Sequence, residues 1–122
     1  MSDDPLLHDY GGQHALRVRI YLGESDHHRG QPLYTAIVQA ARKAGLGGAT
    51  VIKGIEGFGA HSVVHAARIV DMSSDLPIVV ELVDDPEKIR PFISTLKEML
   101  DDGMMTIESV VIIYQHAGSP RS

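Results

Sequence analysis

The 122-residue sequence has no cysteine, no tryptophan and only two phenylalanines. Without cysteine there can be no disulfide, no thiolate metal ligand and no thiol nucleophile. With so few aromatics there is no obvious platform on which the bases of a nucleic-acid strand could stack. No apolar run approaches the roughly 18 residues that a membrane-spanning helix requires, so no membrane insertion is expected. The first residues, with Asp3, Asp4 and Pro5, lack the basic start and apolar stretch of a signal peptide, and a cytoplasmic protein is the expectation. Positive charge is also scarce. Lys and Arg number 11 against 16 Asp and Glu, a net charge of −5. A nucleic-acid partner is therefore not expected, because its phosphates call for clustered cations.

What is present reads as one α+β domain. Residues 1–14 form a polar lead with Gly11-Gly12 that reads as flexible. The domain follows over residues 15–114, and residues 115–122 read as a C-terminal tail. From Ala15, the residues Leu16, Val18, Ile20 and Leu22 alternate with Arg17, Arg19 and Tyr21. That period of two is a strand with one buried face. Glu24 to Gly30 is a polar loop. Pro32 then opens a helix in which Leu33, Ile37, Ala40, Ala41 and Ala44 share a face. Gly45 supplies a left-handed stop, and Arg42 and Lys43 suit the negative end of the helix dipole.

Ala49 to Glu56 reads as the second strand, closed by Gly57-Phe58-Gly59, and Leu76 to Val83 as the third. Pro77 is tolerable there only near the strand's start or on an edge. Asp85 and Pro86 start a second helix, with Ile89, Phe92, Ile93, Leu96 and Leu100 inward and an irregular first turn expected around Pro91. Gly103 breaks it, and Met104 to Tyr114 is the last strand. The order βαββαβ is the ferredoxin-like arrangement, a four-stranded antiparallel sheet with two helices on one face. Ile78-Val79-Val80 and Val110 to Tyr114 are apolar on both sides of their strands. Such strands are buried on both sides, so a second copy is expected to cover the face that the helices leave open, with a large hydrophobic ligand groove as the alternative.

Chemistry is sparse. Strands one and two run the same way in this topology. The loop from Glu24 to Gln31, the connection from Gly57 to Asp75 and the turn from Asp101 to Gly103 therefore gather at one end. The middle connection is long enough to suggest a binding loop with a mobile tip. His61 and His65 are spaced four apart, but no glutamate between them completes a metal motif, and exposed loop histidines explain them, as they explain His27 and His28. No Ser, His and acid stand at a recognisable catalytic spacing, so no catalytic residue is assigned and an enzyme is not expected. Asp84-Asp85 reads as a helix cap. Lys53 followed by Gly54-Ile55-Glu56-Gly57-Phe58-Gly59 suits either a strand-end turn or a backbone cradle for an anion.

Two stretches carry a family resemblance: Val51-Ile52-Lys53-Gly54-Ile55-Glu56-Gly57-Phe58-Gly59-Ala60-His61-Ser62 and Leu76-Pro77-Ile78-Val79-Val80-Glu81-Leu82-Val83-Asp84. Over about Leu16 to Ile113 the chain resembles the PII-like domain of unknown function family 190. That family is similar to the PII nitrogen-regulatory proteins, trimers of ferredoxin-like subunits that bind adenine nucleotides in the clefts between subunits. Their loop between strands two and three reports the ligand to a protein target, such as a transporter or an enzyme. The resemblance implies a homotrimeric signalling protein with ADP, AMP or ATP as candidate ligands and residues 57–75 as the reporting loop. The ligand's phosphates would be met by Lys53, Arg68, His61 and the amides of Gly57 and Gly59.

The sequence departs from the PII proteins in three places. Ala60-His61-Ser62 stands where PII proteins carry a Gln-Lys-Gly segment for oxoglutarate and metal. None of Tyr10, Tyr21, Tyr34 and Tyr114 falls in the loop. Asp101-Asp102-Gly103-Met104 is short and acidic where a glycine-rich, lysine-bearing loop would stand. Two other readings share the build: a divalent-cation binding module resembling the CutA proteins, and a small ferredoxin-like enzyme with Arg17, Arg19, Lys53 and Glu81 on its strand faces.

Overall fold

The computed structural model describes residues 4–59 and 75–116. Its elements in chain order are α1 (Pro5–Tyr10), β1 (Gln13–Gly23), β2 (His27–His28), β3 (Gln31–Pro32), α2 (Leu33–Lys43), β4 (Ala49–Lys53), β5 (Pro77–Asp84), α3 (Pro86–Met99) and β6 (Met104–Ile112). The main sheet has the order β4-β5-β1-β6, and each neighbouring pair is antiparallel. This is the ferredoxin-like arrangement expected from the sequence. Since β1 and β4 are both antiparallel to β5, they run in the same direction.

Alternation along β1 decides which side is inside. Leu16, Val18, Ile20 and Leu22 are buried, and so are Ile78, Val80 and Leu82 of β5. These residues form one cluster with Leu33, Ile37 and Ala41 of α2 and with Ile89, Phe92 and Leu96 of α3. The complementary positions, Arg17, Arg19 and Tyr21 on β1 and Val79, Glu81 and Val83 on β5, face away from the helices. Pro77 is the first residue of the central strand β5, where its missing N–H interrupts the ladder least.

Helix α2 ends as its sequence requires. Gly45 has φ 85°, the Gly45 N–H donates to the Arg42 carbonyl, and the Leu46 N–H donates to the Ala41 carbonyl at 3.0 Å. This pair of bonds is a Schellman motif, and the buried Leu46 supplies its hydrophobic contact. Helix α3 continues through Pro91. Its first turn is tightened, with the Asp85 carbonyl accepting from both the Lys88 and the Ile89 N–H at 3.0 Å. The buried Ile89, Phe92 and Leu96 hold the helix across the hydrogen bond that Pro91 cannot make.

Several sequence readings are corrected. The lead is not devoid of structure, for Asp4 caps the six-residue α1 through the Leu6 N–H, although no α1 residue is buried. Strand β1 begins at Gln13 within that lead. The segment after β1 contains a small hairpin, β2 with β3, in which His28 pairs with Gln31. Arg29 and Gly30 lie between them at φ 51° and 83°, the two positive values that a tight type I′ turn requires. Strand β4 stops at Lys53 rather than Glu56: the Gly54 N–H still donates to the Pro77 carbonyl at 2.7 Å, but Pro77 has no N–H to return and the ladder ends there. Strand β6 stops at Ile112 rather than Tyr114.

The faces of β6 are also less uniform than the run from Val110 to Tyr114 suggested. Its pairing with β1 puts Met104, Thr106, Glu108, Val110 and Ile112 on the open face. The strand is therefore apolar on both sides at its two ends, Met104-Met105 and Val110 to Ile112, and polar on the open face between them at Thr106 and Glu108. The Asp84-Asp85 pair does not cap α3 through its side chains. Asp84 accepts instead from the Gly47 N–H at 2.7 Å and from the Asp85 N–H at 2.7 Å, and Asp85 accepts from Gln13 Nε2. These acids tie the α2–β4 turn and the start of β1 to the end of β5.

Candidate functional site

The two candidate surfaces lie at the loop end of the sheet and on its open face. At the loop end, the C-terminal ends of β1 and β4 meet the start of β5. The Glu24 N–H donates to the Leu76 carbonyl at 2.9 Å, and the Leu33 N–H donates to the Asp26 carbonyl at 2.7 Å. Asp26 accepts from the Gly23 N–H at 3.0 Å. Asp75 accepts from both the N–H and the hydroxyl of Ser25 at 3.1 and 2.9 Å. Gly23 leaves room for this knot, since a Cβ there would lie 2.8 Å from Asp75 Oδ1. The loop after β1 is thereby fastened to the residue that leads into β5.

Lys53 ends β4 at this knot and pairs with Glu24, Nζ to Oε2 at 2.8 Å. The Lys53 side chain is half exposed, at 52%. The Glu24 carboxyl is held below the ordinary carboxylate range mainly by the Lys53 hydrogen bond, helped by the Leu76 backbone N–H, against desolvation and the nearby charge of Asp75. The other oxygen, Glu24 Oε1, is shielded from solvent and has no hydrogen-bond partner. Such an orphan in a folded protein calls for an explanation. Gly54 and Gly57 both pack on Pro77, and an added Cβ would come within 2.8 and 3.2 Å of its Cγ. Gly57 also has φ 152°. Close chain packing therefore accounts for glycine at these two positions. Around Gly59 a Cβ would meet nothing within 4 Å.

Of the five residues proposed for ligand binding, Lys53, Gly57 and Gly59 are described, and all three follow the end of β4 or close it. His61 and Arg68 lie outside the described residues, as does most of the proposed reporting loop, residues 57–75. Glu24 is the residue that sequence reasoning underused at this end. Its partnership with Lys53 depends on how β1 and β4 finish at the same end of the sheet, which no local pattern announces. Among the described residues, no group of three or more His, Cys, Asp or Glu is placed to hold a metal ion. His27 turns its Nδ1 to the Ser25 carbonyl of its own loop.

The open face carries charge at its centre. Arg17 donates through Nε and Nη2 to Glu108 Oε1 at 3.1 and 2.8 Å. Arg19 donates to Glu81 Oε2 at 2.9 Å, and its Nη1 lies 3.7 Å from Glu108. Register explains both pairs, because Arg17 stands opposite Glu108 and Arg19 opposite Glu81. Three of the four polar strand residues proposed for an enzyme pocket are thus committed to ion pairs. The side chain of the fourth, Lys53, is held by Glu24. Apolar residues flank the ladder: Ile52, Val79, Val83 and Tyr21 toward one edge, and Val110 and Ile112 toward the other corner.

The Arg17 hydrogen bond and charge lower the Glu108 pKa from the ordinary 4.5, outweighing desolvation. A depressed folded-state value stabilises the protein above the unfolded carboxylate's range, and this contribution is lost as pH falls through the folded value. Native protein should therefore lose stability on acidification below about pH 4.5, and Glu108→Gln should lose less over the same window. Urea midpoints at pH 7 and at about pH 3.5 to 4 check this. A Gln variant with the same acid sensitivity as the native chain would show that Glu108 contributes nothing to it.

The fold is shared with PII-like proteins of known structure. Solved structures with the same fold include CPII of Thiomonas intermedia K12 bound to ADP and bicarbonate, with TM-score 0.59, 17% identity, and 84% of this chain and 92% of that one covered. A Thermus thermophilus protein described as a putative PII-like signaling protein matches with TM-score 0.60, 18% identity and the same coverage of 84% and 92%. The chain belongs to the family DUF190, described as uncharacterized ACR, whose sequence pattern matches residues 15–112. It is 35% identical over 97 residues to a UPF0166 protein of Aquifex aeolicus, covering 80% of this chain and 91% of that protein. A UPF0166 protein of Methanocaldococcus jannaschii is 33% identical over 101 residues, covering 83% and 93%. No helix among the described residues is long and apolar enough to cross a membrane.

Proposed function

We propose that the protein is a PII-like regulatory protein, not an enzyme, that senses a small anionic ligand of the adenine-nucleotide class. The ligand sits in clefts between the subunits of a homotrimer, and residues 57–75 report its presence to a protein target. The observation that carries this reading is the shared fold with CPII, a protein whose structure holds ADP. The loop-end geometry is compatible with it. Lys53 presents a half-exposed ammonium at the foot of the 57–75 segment, and an ammonium can bind phosphate by charge-assisted hydrogen bonds.

The trimer rests on the open face. Ile52, Val79, Val83, Tyr21, Val110 and Ile112 border an ion-pair ladder whose two arginines and two glutamates balance in charge. A charge-balanced, hydrogen-bonded network can be covered by another copy without leaving an unpaired ion. Light scattering should give three times the 13.3 kDa chain mass. ADP, ATP or AMP should raise the melting temperature, because a ligand that binds only the native state stabilises it by mass action. A folded monomer whose melting temperature is indifferent to all three nucleotides would refute the proposal.

A further inference from the structure

Lys53 is proposed above as a phosphate anchor, and its ammonium is already in use. Glu24 Oε2 lies 2.8 Å from Nζ. The partnership is uneven. Glu24 Oε1 is shielded from solvent and makes no geometric hydrogen bond, and the carboxylate is favoured by Lys53 and the Leu76 backbone N–H against burial and the like charge of Asp75. Asp75 has donors of its own in Ser25, so it does not depend on Lys53. With half of the Lys53 side chain exposed, an anion can approach the ammonium from solvent while Glu24 still holds it.

We propose that Glu24 is a built-in competitor for Lys53, so that a di- or triphosphate group captures the lysine where a single carboxylate cannot. This inference rests on the nucleotide reading of the same site. A tethered carboxylate acts at high effective concentration. A free monoanion offers Lys53 the same charge and the same hydrogen bond, without that advantage. A polyphosphate offers more charge and several acceptor oxygens, so it can bond Lys53 and neighbouring donors together. Glu24 thus sets the class of ligand as well as the resting state of the site.

Titration calorimetry with ADP, pyrophosphate and acetate on the native chain, Glu24→Gln and Lys53→Ala tests this. Glu24→Gln removes the competing charge with little change of shape and should tighten ADP and pyrophosphate about five-fold. Lys53→Ala should weaken both about ten-fold or more. Acetate should give no heat with the native chain. If Glu24→Gln proves poorly folded, Glu24→Asp, with its shorter reach, should shift affinity in the same direction. Native-like or weaker ADP affinity in a folded Glu24 variant overturns the competition and leaves the nucleotide reading standing. ADP binding that is unchanged in Lys53→Ala does the same. No heat from ADP or pyrophosphate with any of the three proteins overturns the nucleotide reading itself, and the competition with it.

Discussion

Ile112→Asp is expected to dissociate the assembly. Ile112 stands opposite Gln13 on the open side of β6, next to Ala15 and Val110, where the strand is most apolar. In an isolated chain this side is solvated, and an aspartate there would change stability little, as surface substitutions usually do. In an assembly that covers the face, the same aspartate is an uncompensated carboxylate taken out of water, which costs several kcal/mol. Light scattering and circular dichroism together separate the two cases. The expected result is a folded or partly folded chain at one third of the native mass. A variant with native mass and native melting temperature would mean that the open face is not the contact between copies. Ile113→Asp is the matched control, because Ile113 follows the strand and is already 62% exposed.

Leu82→Ala should have the largest effect on the fold itself. Leu82 is fully buried in the cluster with Ile37, Ile89 and Leu96, and it lies on the central strand β5 opposite Val18 and Ala49. Shortening such a side chain loses its transfer free energy and leaves a cavity, together about 2–5 kcal/mol. Set against total stabilities of roughly 5–15 kcal/mol, this is a large fraction. Its neighbour Val83 points to the opposite side of the sheet, so Val83→Ala should cost the fold little and act mainly through assembly. Denaturant titration with equal slopes for the variants checks the contrast. Equal losses at the two positions would contradict the assignment of faces.

The parts of this architecture that were legible in the sequence are those written in local pattern. The alternation from Leu16 to Leu22 marks both the strand and its buried face, and Gly45-Leu46 marks the end of α2. The Gly-Phe-Gly stretch and the Pro77 strand start carried the family resemblance that the sequence match over residues 15–112 bears out. What escaped was set by partners far away in the chain. Glu108 looks like any charged residue on a strand until the β1–β6 register brings it to Arg17, 91 positions earlier. The apolar run from Val110 suggests a strand as far as Tyr114, but pairing with β1 ends at Ile112, opposite Gln13. The β2–β3 hairpin was hidden because Arg29, where asparagine or aspartate would announce a tight turn, takes the positive φ. At the loop end, Lys53 was recognised as the cation, whereas its engagement by Glu24 follows only from two parallel strands ending together.

Binding of an adenine nucleotide is the central claim, and equilibrium dialysis of the native protein against labelled ADP tests it most directly. Saturable binding at one ADP per chain is the predicted result, displaced by ATP and by pyrophosphate but not by acetate. Affinity should also weaken as salt is raised, because the phosphates are held by charge. Dialysis that shows no saturable ADP uptake by a correctly folded protein, with none for ATP or AMP either, would contradict it.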